Sequence, residues 1–367
     1  MNILIFLIIL LVLVVVHEFG HFITAKKFGI RVDEFGFGFP PRALKLFRRG
    51  ETLFTLNWLP LGGFVKIFGE NPDDENTNGP DKDRSFVHKP KWQQAIVLFA
   101  GIFANFLLAW LLFSFGFMSG LPTSVGAEAK GYELKNVNLV VVSVLPDSPA
   151  QVAGLKSGDK IISVKTENDT IGDINPESMK SFIVEHPTDK IFIGYGRGKD
   201  KNINYAEVIP VLNTENGTSM VGISMDQIGT LKLPLFPALW AGLKLDWSVT
   251  KATVVGLYDL IADGLRGKGD ISSISGPVGI VGIVGDAYEF GFVYLLSFAA
   301  LISVNLAIIN LIPFPALDGG RLLFLLIERV KGSRINPKIA NMTNMIGFAI
   351  LIAFMIFVTY HDIIKLI

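Results

Sequence analysis

The chain has 367 residues, half of them hydrophobic and only 18% charged, with a mean hydropathy of +0.47; this excludes a compact soluble enzyme and indicates a membrane protein with a soluble portion. Its 33 basic and 33 acidic residues cancel to a formal net charge of zero, so nothing in the balance points to nucleic acid as a partner. It contains no cysteine, which removes disulfides, thiolate ligands and cysteine nucleophiles and leaves His and carboxylate groups as the ligands open to a metal.

Residues 1–26 make the first predicted membrane span. Positions 2–16 are uncharged and apolar and run straight into His17-Glu18-Phe19-Gly20-His21, after which the apolar run continues to Ala25. The segment lacks a basic leading region and a small-residue cleavage site, so it is expected to be retained rather than removed as a signal peptide. The pentapeptide is an HExxH pattern. Residues four apart share a helix face, so His17 and His21 can grip one metal ion, with Glu18 beside it as general base. HExxH also arises by chance in soluble helices. In a bilayer, however, a charged residue at a helix centre costs about 2.5–3.5 kcal/mol, which favours a use for the motif over an accident.

Residues 32–69 read as a membrane-associated β-hairpin region. Apolar and polar residues alternate in Glu51-Thr52-Leu53-Phe54-Thr55-Leu56-Asn57-Trp58, and Gly36, Gly38, Gly62 and Gly63 are expected to mark turns. A cytoplasmic loop follows over 70–92; its 71–80 stretch is acidic, Asn-rich and punctuated by Gly and Pro. The second span is predicted at 93–119. Gly101 there permits close helix approach, and Asn105 either hydrogen-bonds near the metal or simply packs.

Residues 127–225 form the soluble portion, with a strand at Val140-Val141-Val142-Ser143-Val144. Over 232–264, Lys244, Asp246, Lys251 and Asp259 interrupt apolar residues at near-helical spacing (Phe236, Leu239, Trp240, Leu243, Trp247, Val254). This predicts an amphipathic helix lying in the membrane interface rather than crossing. Ser275-Gly276-Pro277-Val278-Gly279-Ile280 reads as a turn signal. The third and fourth spans are predicted at 292–327 and 343–366.

Basic residues set the orientation. Lys26, Lys27 and Arg31 follow the first span, Lys82, Arg84, Lys89 and Lys91 precede the second, and Arg329, Lys331, Arg334 and Lys338 lie between the third and fourth. By the positive-inside rule these flanks are cytoplasmic, and both termini and residues 120–290 are extracytoplasmic.

A catalytic zinc usually has three protein ligands and an open position. Of the remaining histidines, His88 falls in the cytoplasmic loop, His186 in the soluble portion and His361 near the outer end of the fourth span; none lies at the depth of the HExxH. Asp318 does, in Asn310-Leu311-Ile312-Pro313-Phe314-Pro315-Ala316-Leu317-Asp318-Gly319-Gly320-Arg321, where prolines and glycines interrupt the helix. Non-helical backbone at membrane depth is tolerated where it is buried in protein or lines a polar cavity. Asn310, one to two turns upstream, can donate to an oxyanion or form a helix–helix hydrogen bond.

HExxH in a first span with N-x-x-P-x-x-x-L-D-G in a late one resembles the site-2 protease family of intramembrane zinc metalloproteases, and is most similar to its bacterial RseP-type (regulator of sigma-E protease) branch carrying a PDZ domain. The resemblance covers nearly the whole chain. Pro60-Leu61-Gly62-Gly63-Phe64-Val65-Lys66, Gly101 to Asn105, and Ser148-Pro149-Ala150 with Ser157-Gly158-Asp159-Lys160-Ile161-Ile162 are also similar to family stretches. It implies a polytopic α-helical membrane protein with four transmembrane helices, a re-entrant β-hairpin that pairs an extended substrate, and one extracytoplasmic PDZ-like α+β domain. That domain either inspects a peptide or excludes bulky ectodomains. The resemblance further implies zinc (Zn2+) held by His17, His21 and Asp318, Glu18 as catalytic acid/base, and Asn310 assisting at the scissile carbonyl. The implied substrates are single-span membrane proteins, anti-sigma-factor-like proteins or remnant signal peptides, cut in the bacterial inner membrane. Two other readings stay open on the residues alone: a membrane metal-ion transporter, and an inactive PDZ-bearing membrane chaperone.

Overall fold

The structure, a computed structural model, describes residues 1–71, 78–198, 202–212, 217–267 and 276–366. The chain divides into two compact units, one of Met1–Phe113, Gly242–Gly285 and Leu296–Ile367, the other of Ser114–Ala241 and Asp286–Leu295.

The first unit opens with helix α1 (Asn2–Lys27), whose buried residues Leu13, His17, His21 and Ala25 recur every four positions and so form one stripe. Strands β1 (Val32–Arg49) and β2 (Thr52–Ile67) follow and pair antiparallel. Residues 34–37 are partnered on both sides: Phe35 pairs with Val65 and with Phe54, Gly36 with Phe64 and with Thr55. The two long strands thus double back, and the 63–67 stretch forms one rim of the sheet. The expectation of turns at Gly36, Gly38, Gly62 and Gly63 is corrected here, because all four lie inside strands. Gly38 (φ +82°) and Gly62 (φ +147°) accommodate the shifts of register, a use of glycine in bulged strands that a turn signal does not distinguish. Of the loop expected over 71–80, residues 72–77 lie outside the described residues. The hairpin is joined to helix α2 (Lys91–Ser119) by a shared core of Ala25, Ile30, Val32, Ile67, Phe86, Val97 and Leu98.

The second unit is built on a six-stranded sheet. Its strands are β3 (Leu121–Ser124), β4 (Lys135–Val144), β5 (Lys160–Lys165), β6 (Ile191–Gly196), β7 (Asn204–Val208) and β10 (Ile223–Leu231), in the order β3-β10-β4-β5-β6-β7, each antiparallel to its neighbours. A short ribbon pairs β8 (Val211–Leu212) with β9 (Ser219–Met220). The core of Val141, Val164, Met179, Phe182, Ile191 and Ile193 lies between the sheet and the helices α3 (Pro149–Val152) and α4 (Pro176–Glu185). A capping box of Asn175 and Ser178, with Pro176 in the first turn, starts α4. Asp159, fully buried, accepts two hydrogen bonds of 2.7 Å from the Arg197 guanidinium. These bonds hold Arg197 above its ordinary pKa.

The helices α5 (Leu235–Leu265), α6 (Pro277–Phe290), α7 (Phe292–Leu311), α8 (Asp318–Lys331) and α9 (Pro337–Leu366) follow. By length and composition, α1, α2, α7 and α9 can cross a membrane. Leu245, Val249 and Leu257 of α5 pack on Ala109 and Phe113 of α2 and on Ala300, Val304 and Ile308 of α7. Thr253 donates to Asn305 Oδ1 at 3.1 Å. Protein therefore covers one face of α5, while Trp247, Val254, Tyr258 and Ile261 stay exposed.

One further feature departs from the sequence expectations. The stretch read as a turn signal after Ser275, itself outside the described residues, is instead the start of α6. Its first N–H groups, those of Gly276 and Gly279, donate to the Asp362 carboxylate of α9 at 3.1 and 2.8 Å. The cap comes from a distant helix, so no local signature announces this one. The interruption expected in the third span falls between α7, which ends at Leu311, and α8, which starts at Asp318.

Candidate metal centre

α1 and α2 approach closely enough to orient both histidines. Gly20 faces the Ala100 carbonyl and Gly101 faces the His21 ring, and a Cβ at either glycine would overlap its neighbour. In this contact His21 Nδ1–H donates to the Val97 carbonyl at 2.8 Å, and His17 Nδ1 meets the Asn105 side-chain amide at 3.3 Å. Asn105 is fully buried, and its Oδ1 otherwise has no partner. The amide orientation that turns Oδ1 toward His17 satisfies that oxygen and places the imidazole proton on Nδ1. Ser303 of α7 donates to the Asn105 carbonyl at 2.8 Å, fixing the same turn of α2 from the other side. Both rings therefore present Nε2 inward, 3.1 Å apart.

Asp318 reaches the pair from the break between α7 and α8. Pro313 and Pro315 cannot supply helical N–H groups there. Ala316 adopts φ +75° and donates its N–H to Asn344 Oδ1 of α9 at 3.2 Å. Gly319 and Gly320 are required by this turn, because a Cβ at either would strike the carbonyls of Leu311, Ile312 or Phe314. The turn ends with Asp318 in the first turn of α8, where a carboxylate is favoured by the helix dipole. Its Oδ2 stands 3.0 Å from His17 Nε2 and 3.2 Å from His21 Nε2.

With each Nδ1 keeping its proton, three lone-pair donors face one another at 3.0–3.2 Å, and Asp318 Oδ2 is buried without a hydrogen-bond donor. A cation at their common point relieves that arrangement. Zinc fits it: the donors are two imidazoles and a carboxylate, and their separations are close to the edge, about 3.3 Å, of a tetrahedron with bonds of about 2.0–2.1 Å. Among the described residues, His17, His21 and Asp318 are the group of three that converges on a common point.

The remaining predicted residues surround a cavity of about 340 Å³. Glu18 and Asn310 line it with the three donors, as do Gly63, Phe64 and Val65 of the sheet rim. The Glu18 carboxylate accepts the Val65 N–H at 3.0 Å. His186 stays in the second unit, where its Nδ1 meets the Phe182 carbonyl at 2.9 Å. Sequence reasoning missed two members of the cavity wall, Glu70 and Arg321, which form an ion pair. They are separated by 251 positions in sequence, so no local pattern could have joined them.

A family model described as peptidase family M50 matches residues 5–354. A Clostridium perfringens protein carrying a zinc metalloprotease name is 36% identical over 96% of this chain and 95% of its own length. The zinc metalloprotease RasP of Geobacillus kaustophilus is 30% identical over 98% of this chain and 97% of its own. The regulator of sigma-W protease RasP of Bacillus subtilis is 29% identical over 98% of each.

Proposed function

As this chain belongs to peptidase family M50, the site-2 type of zinc metalloprotease, we propose that it cuts single-span membrane proteins at the cavity below His17, His21 and Asp318, as one step of regulated intramembrane proteolysis. The convergence of these three donors from α1 and α8 carries the reading. They would hold zinc, with one coordination position left open. Bound there, the ion supplies Lewis acidity, polarising a carbonyl and making a water nucleophilic near neutral pH.

The chain's own groups do the rest. Glu18, held by the Val65 N–H, takes the proton of the attacking water and passes one to the leaving amine. Asn310 donates to the carbonyl oxygen as charge develops on it. A peptide bond inside a helix is shielded by its own hydrogen bonds and must be unwound before attack. The 63–65 rim offers an unwound segment replacement partners by strand addition.

In this reading the six-stranded unit is a PDZ-like domain on the extracytoplasmic side. A groove of about 600 Å³ runs between Lys180 and Ile183 of α4 and the Gly222–Ser224 segment leading into β10, a shape suited to a peptide added as a strand. The protein is an inner-membrane enzyme with both termini outside and the metal centre toward the cytoplasmic face. One relative carries the name regulator of sigma-W protease, which favours anti-sigma-like substrates; remnant signal peptides are the other class that such a cavity accepts. The test is cleavage of a single-span substrate in proteoliposomes. Wild type should cut it within or near the bilayer, and Glu18→Gln should not; intact substrate with wild type and zinc present refutes the reading.

A further inference from the structure

The pair of Glu70 and Arg321 stands at the edge of the metal centre. Arg321 Nη1 meets Glu70 Oε1, and both side chains line the cavity shared by His17, Glu18, His21 and Asp318. Arg321 lies three residues beyond Asp318 in α8, so the two side chains leave the same helix face within contact range. Their surroundings are partly dry: 27% of the Arg321 side chain and 20% of that of Glu70 are exposed.

This geometry poses a problem for the metal. Asp318 Oδ2 is buried without a hydrogen-bond donor. A guanidinium one turn away is a strong, permanently charged donor that matches a carboxylate in shape. If Arg321 turned onto Asp318, it would occupy the lone pairs that a metal needs. Glu70 offers Arg321 another anion. It lies three residues past the end of β2; its N–H donates to the Ile67 carbonyl at 3.2 Å and the Phe68 N–H donates to the Arg31 carbonyl at 2.9 Å, so its backbone is anchored on the sheet side. A second cavity, of about 330 Å³, is bordered by Glu70 and Arg321 as well, so the arginine has room to lie away from Asp318.

We propose that Glu70 is a positioning residue of the metal centre: it holds Arg321 off Asp318 and keeps that carboxylate free for zinc. The inference rests on the reading that His17, His21 and Asp318 are the zinc ligands. Glu70 acts through Arg321 and needs no contact with substrate.

The test uses full-length protein purified in detergent and loaded with zinc. The readout is the rate at which zinc passes to a chromogenic chelator, which requires no proteolysis. Glu70→Gln should release zinc about tenfold faster or more, the scale expected when an outer-shell partner is lost. Arg321→Met should release it within about twofold of wild type, since its competitor is gone. The double variant should return to near wild type, and Glu70→Asp, which keeps the anion, should as well. Wild-type release by Glu70→Gln overturns the inference. So does an Arg321→Met or double variant as defective as Glu70→Gln, whether folded or not, because the pair is then a structural brace. A wild-type protein that holds no zinc fails the metal centre itself, an outcome distinct from a zinc-loaded enzyme indifferent to Glu70.

Discussion

The Glu18 carboxylate accepts a hydrogen bond from the Val65 backbone N–H at 3.0 Å, which ties the residue next to His17 to the rim of the β-sheet. The same rim lines the cavity through Gly63 and Phe64. A segment laid along it would meet Glu18 and the three donors together, so in the proposed reaction the sheet would position both the base and the bond to be cut.

Glu18→Gln removes the base but keeps an oxygen able to accept the Val65 N–H. The expected result is a protein with wild-type zinc content and at least a 10²–10⁴-fold lower cleavage rate, the range usually supplied by a positioned general base. Metal analysis and a single-turnover assay on the same preparation check it. Substantial activity in this variant would remove Glu18 from the mechanism.

Asp318→Asn replaces a charged donor by a neutral one of the same shape in a site where Oδ2 has no other partner. Zinc retention should fall by about tenfold or more, with the elution profile unchanged. Competition against a chelator measures it; retention equal to wild type would mean that Asp318 is not a ligand.

Gly101→Ala places a Cβ against the His21 imidazole, with the Val97 carbonyl holding the other ring nitrogen. The ring must tilt or α2 must withdraw. Zinc content and activity should therefore fall together, by about 10–100-fold, in a protein that still folds. Full zinc occupancy would show that the helices part without disturbing the ligand.

Much of this centre was legible in the sequence because its signals are local. The step of four between His17 and His21 places both rings on one helix face, and Pro313, Pro315 and the Gly319–Gly320 pair announce a break that brings Asp318 inward. Asn105 is open between packing and hydrogen bonding on sequence alone; its 3.3 Å approach to His17 Nδ1 puts it against that imidazole. What could not be read depends on partners chosen in three dimensions. Asp362 caps α6 across more than eighty residues, and the Val97 carbonyl that orients His21 is a backbone atom any residue could provide. Glycines in β1 and β2 looked like turns because a missing side chain serves a bulge and a turn equally well.

The stability of the six-stranded unit should depend on Asp159. Its carboxylate is fully buried and is satisfied by Arg197 and by the Lys156 N–H at 2.8 Å, while Arg197 also donates to the Gly154 carbonyl at 2.7 Å. Removing Arg197 leaves the fully buried Asp159 charge uncompensated, at a cost of about 3–5 kcal/mol. Arg197→Met should therefore make this unit the first site of limited proteolysis in the full-length protein, with the zinc content of the other unit preserved. Asp159→Asn combined with Arg197→Met removes the stranded charge and should recover much of the resistance. A double variant no more resistant than the single one would show that the carboxylate serves the Lys156 turn and not the arginine.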